Sequence, residues 1–85
     1  MTAAALRARI EQVAVQRMSL PLSGSAARTA ELWRDEAALW EQLLALDPAG
    51  YSRELVYAVQ YAHGQAARWG ESAGRDRVPV GQAGP

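Results

Sequence analysis

Two interruptions built from proline, glycine and serine decide what this chain can become: Ser19-Leu20-Pro21-Leu22-Ser23-Gly24 and Asp47-Pro48-Ala49-Gly50. Proline lacks the backbone donor and clashes with the turn before it, so a helix that enters either stretch ends there. Outside them, apolar residues recur at steps of three and four, the period of a helix. The pattern predicts an all-α chain with three helices and a tail.

The first helix is expected over about 3–18, with Thr2 as its cap and Ala3, Leu6, Ile10 and Val13 as one stripe that Arg17 ends. Val15 and Met18 lie to one side, leaving this helix modestly apolar. The second is expected over about 25–46, capped by Ser23 or Ser25, and it carries two adjacent stripes. One is Leu32, Leu39, Leu43 and Leu46, interrupted by Glu36; the other is Trp33, Ala37, Trp40 and Leu44. Arg34, Asp35, Glu41 and Gln42 take the opposite side.

The third helix is expected over about 52–69, with Ser52 as its cap and Gly70 as the left-handed residue that stops it. Leu55, Val59, Ala62, Ala66 and Trp69 form a seam suited to lengthwise packing on another helix. Tyr57, Tyr61, Gly64 and Arg68 face elsewhere. From Glu71 to Pro85 the apolar residues are too few to offset ordering entropy. The expected organisation is one small domain, a helical hairpin or three-helix unit over 1–70, followed by a disordered tail over 71–85.

A core drawn from about seventy residues is marginal, worth no more than ~3–5 kcal/mol, and small domains usually add a covalent or metal staple. This chain has no cysteine and one histidine, which removes disulfides and zinc sites built from the usual nitrogen and sulfur ligands. Association with a partner is the staple that remains. Nine arginines and nine carboxylates are scattered along the chain with a net charge of zero, so no basic stripe exists for nucleic acid. No segment approaches the ~20 apolar residues of a membrane span, no basic leader opens the chain, and the expected location is cytoplasmic.

The stretch Glu36-Ala37-Ala38-Leu39-Trp40-Glu41-Gln42-Leu43-Leu44-Ala45-Leu46-Asp47-Pro48 resembles the closing helix of a tetratricopeptide repeat, which ends in a similar Leu-x-Asp-Pro. The adjoining segment, from Pro48 through Leu55, Val59, Ala62, Ala66, Trp69 and Gly70, is similar to the opening helix of a next repeat. About 35 residues carry the likeness. Glu36 and His63 depart from it, each standing where a small residue is usual, and no second helix succeeds the opening one. The resemblance implies a protein-interaction scaffold without catalytic residues, and no cofactor is expected.

His63 is the one side chain suited to acid–base work at neutral pH, with Glu36 or Tyr57 as the partners that folding could bring to it; packing beside the seam is the plainer reading. Asp35, Glu36 and Glu41 lack the Glu-x-x-His spacing of a carboxylate-bridged metal site and read as solvating charges. Glu36 is expected at the edge of the core, the alternative being a pair with an arginine such as Arg17 or Arg53. Trp40 is expected in the core of the hairpin.

The two stripes of the second helix exceed what the first can cover, so an apolar face is left for a partner. Trp33, Trp40, Leu44, Tyr57 and Tyr61 form the expected partner-binding surface, and a symmetric homodimer through the Trp33 side is the simplest arrangement. The function expected is a non-catalytic interaction module, adaptor or regulatory, with self-association as one form of it; the alternatives are an accessory subunit of an enzyme complex and a small helical enzyme using His63.

Overall fold

The computed structural model describes residues 1–21, 24–47 and 52–76, and within them the chain forms three α-helices and no strand. These are α1 (Ala3–Met18), α2 (Ala26–Ala45) and α3 (Arg53–Asp76). The all-α hairpin architecture read from the periodicity is the one observed.

The boundaries follow local chemistry. Thr2 caps α1 by accepting the Ala5 N–H at 3.1 Å, and Ser25 caps α2 by accepting the Arg28 N–H at 3.3 Å. Ser23, the other candidate cap, lies outside the described residues, as do Pro48, Ala49 and Gly50. At the end of α1 the Ser19 hydroxyl donates to the Val15 carbonyl at 2.7 Å, and Gly24 N–H donates to the Pro21 carbonyl at 2.8 Å, closing the turn toward α2. Glycine is required in that turn, because a β-carbon at position 24 would sit 2.8 Å from the Pro21 carbonyl oxygen. Before α3, the Ser52 N–H donates to the Asp47 carboxylate at 2.9 Å, and the Ser52 carbonyl accepts the first helical bond from Val56.

Helix α2 is central. Both α1 and α3 run antiparallel to it and pack along it, while the described parts of α1 and α3 make no lengthwise packing with each other. Leu6, Ile10, Leu43 and Leu55 form one buried cluster near the C-terminal end of α2, supported by Leu39 and Leu44. Trp33, Ala37, Ala62 and Ala66 form a second toward its N-terminal end. Trp40 packs against both clusters and so joins them.

The third helix does not stop at Gly70. It continues to Asp76, and Ala73 is buried beside Ala27 and Ala30 at the start of α2. The spacing from Ala66 to Ala73 is two turns, so the seam continues along α2 as far as α2 itself extends. Tertiary packing of one alanine per two turns outweighs the helix-stopping preference of glycine. The expected tail therefore begins at least six residues too early, and its remainder, 77–85, lies outside the described residues.

Candidate interaction surface

Trp33, expected on a surface, is instead core, only 7% exposed. The Arg17 guanidinium lies over its ring, 3.7 Å from the centroid, and Tyr61 meets it edge-on with centroids 5.6 Å apart at 73°. Both geometries are favourable, the cation over the ring face and the second ring in a T arrangement. A count of apolar residues on α1 misses this cover, because the residue supplying it is an arginine. Its planar guanidinium stacks on an indole in a way no aliphatic count registers.

Glu36 is likewise corrected from the edge to the interior. It is 6% exposed, its Oε1 accepts from Arg17 Nη2 at 3.3 Å, and its Oε2 accepts from the Trp40 indole N–H at 3.4 Å. Arg17 is one of the two arginines named above as the alternative partner for it. The charge interrupting the leucine stripe is thus the point where α1 is tied to α2, and it also occupies the polar handle of Trp40.

Of the five expected partner-binding residues, burial therefore removes Trp33 and half-buries Trp40 and Leu44 between the clusters. Tyr57 and Tyr61 remain in solvent, each 61% exposed. Trp69 is exposed at the rim of an open cleft of about 320 Å³, where Arg17, Leu20, Pro21 and Gln65 also contribute walls.

The two tyrosines belong to a longer line. Glu54, Tyr57, Tyr61, Gly64, Arg68, Glu71 and Arg75 succeed one another along α3 at alternating steps of three and four, and all seven are exposed. They lie away from Leu55, Ala62, Ala66 and Ala73, the buried face of the same helix, with Tyr61 at the margin, where its ring also meets Trp33 of α2. Helix α3 is amphipathic toward α2, yet its outward face carries two large rings.

His63 meets neither of the partners considered for it. Its Nε2 contacts the Glu41 carboxylate across α2 and α3, with the two side chains 55% and 52% exposed. A pair so solvated lacks the desolvated, oriented setting that acid–base catalysis draws on. Among the described residues no group of three or more His, Asp or Glu side chains is placed to hold a metal, and no helix is long and apolar enough to cross a membrane.

The chain matches no family model, no curated protein and no solved structure.

Proposed function

We propose that this chain is a non-catalytic helical interaction module that docks another protein chain through the outward face of α3. The observation that carries the reading is the pair Tyr57 and Tyr61, one turn apart and each 61% exposed on a helix whose other face is committed to the core. Tyrosine presents a large apolar ring with a polar tip at low entropic cost, the property that enriches it at interfaces. The smallness of the core points the same way, since a chain with no cysteine to cross-link it gains stability from what it binds. The tetratricopeptide-like ending of α2 at Leu46-Asp47 fits a scaffold role. A cysteine-free chain suits the reducing cytoplasm, where we place it.

A photo-cross-linking amino acid at Tyr57 or Tyr61 in the producing cell tests this, with Gln42 on the outward side of α2 as the control. Discrete covalent adducts from the α3 positions and none from Gln42 are expected. Equal yields from all three positions, or none, would overturn the reading.

A further inference from the structure

We propose that the occupant of the α3 face is a second copy of the same chain, lying antiparallel to the first about a two-fold axis beside Gly64. The inference rests on the reading of that face as a docking surface and adds what docks there.

Gly64 stands in the interior of a 24-residue helix, it is exposed, and a β-carbon there would meet nothing within 4 Å. The fold of one chain therefore gives no steric reason for glycine at a position where alanine makes a better helix. What glycine provides is a bare stretch of backbone midway along the outward line, where another helix can approach closely.

The order of charges along that line selects the occupant. The half before Gly64 offers one carboxylate and two aromatic faces, Glu54, Tyr57 and Tyr61. The half after it offers two guanidinium groups flanking one carboxylate, Arg68, Glu71 and Arg75. Arg75 donates to the Ser72 hydroxyl at 3.2 Å, which holds its guanidinium on the outside of the last turn.

Turned end for end about Gly64, a second copy sets each half against the other. Arg75 falls opposite Glu54, Arg68 opposite Tyr61, and Glu71 opposite Tyr57, whose phenol O–H can donate to it. Every pair is an ion pair, a cation on an aromatic ring or a charge-assisted hydrogen bond. The two-fold repeats each of them. A parallel copy would set Arg68 on Arg68 and Glu54 on Glu54, so the charge order rejects it. Antiparallel helix dipoles favour the same choice.

A single helix per subunit makes a small interface, and the dimer is expected to be weak, with Kd on the order of micromolar. Sedimentation of the full chain across about a hundredfold dilution should show a dimer mass giving way to a monomer, with a melting midpoint that falls as it does so. Glu54→Arg sets like charges together at both ends of the seam and should weaken dimerisation about tenfold, as should Arg75→Glu. Mixed in equal amounts, these two variants meet only opposite charges and should form a heterodimer tighter than either variant alone. Gly64→Glu should keep its helical circular dichroism at high dilution, since nothing surrounds that position, and yet stay monomeric.

A parent chain monomeric at every concentration with a fixed midpoint would overturn the self-pairing, as would a mixture of the charge variants no tighter than its components. If the Tyr57 cross-linker then captures a different protein, the docking face stands and only its occupant changes. If neither the cross-linker nor sedimentation reports any association, both readings fall.

Discussion

Arg17 at the end of α1 and Glu36 in the middle of α2 form the ion pair that ties these two helices together, Nη2 to Oε1 at 3.3 Å, with the same guanidinium lying on Trp33. Glu36 is held by this contact and by the Trp40 indole, while Arg17 Nε is buried without a hydrogen-bond partner among the described residues. Removing one member of such a pair leaves a charge buried without compensation. Arg17→Ala should destabilise the chain by about 3 kcal/mol, close to the whole stability of a domain this small. Arg17→Met combined with Glu36→Leu replaces the pair with apolar volume and should be neutral or stabilising. Urea denaturation of the two variants checks this; equal losses for both would mean that the pair contributes specific attraction beyond what apolar packing supplies.

Trp33 belongs to the core and not to the expected surface, and the two placements give opposite outcomes. Trp33→Glu should abolish cooperative melting, because the carboxylate would enter a site lined by Ala37, Ala62 and Ala66. Trp33→Ala should cost about 3–5 kcal/mol, and Trp40→Ala, at a half-buried position, about 2 kcal/mol. A folded Trp33→Glu protein with cooperative melting would return Trp33 to the surface.

The extension of α3 reverses what the composition of the C-terminal segment suggests. A chain ending at Gly70 loses Ala73 from the start of α2 and should be about 1 kcal/mol less stable than one ending at Asp76, a drop of roughly 4–8 °C in Tm. Thermal melts of the two truncated chains make the comparison; identical midpoints would show that the last turn and a half contributes nothing.

His63 and Glu41 make a solvated pair. His63→Ala should change stability by no more than about 0.5 kcal/mol and leave cross-linking at Tyr57 unaltered. A larger loss, or a loss of docking, would assign the pair a role that its exposure does not suggest.

The helices follow from local signals in the amino-acid order. Thr2 and Ser25 cap the helices they are expected to cap, the two proline-bearing stretches separate the segments, and the stripe of Leu6, Ile10 and Val13 faces inward as its spacing requires. These are properties of residues within two turns of one another, and three- and four-residue steps report them directly. Which outward-looking residues stayed outward depended on how the helices pack. Trp33 is covered by Arg17 from another helix, and Glu36 is neutralised by the same arginine, neither of which periodicity can register. Gly70 carries a local signal for a helix end that packing against the start of α2 overrides, since Ala73 is buried only once the two helices lie side by side. The candidate site was legible in part for the same reason: Tyr57 and Tyr61 face away from their own helix's seam, a fact of period, whereas the withdrawal of Trp33, Trp40 and Leu44 from that surface depends on where α1 and α3 come to rest on α2.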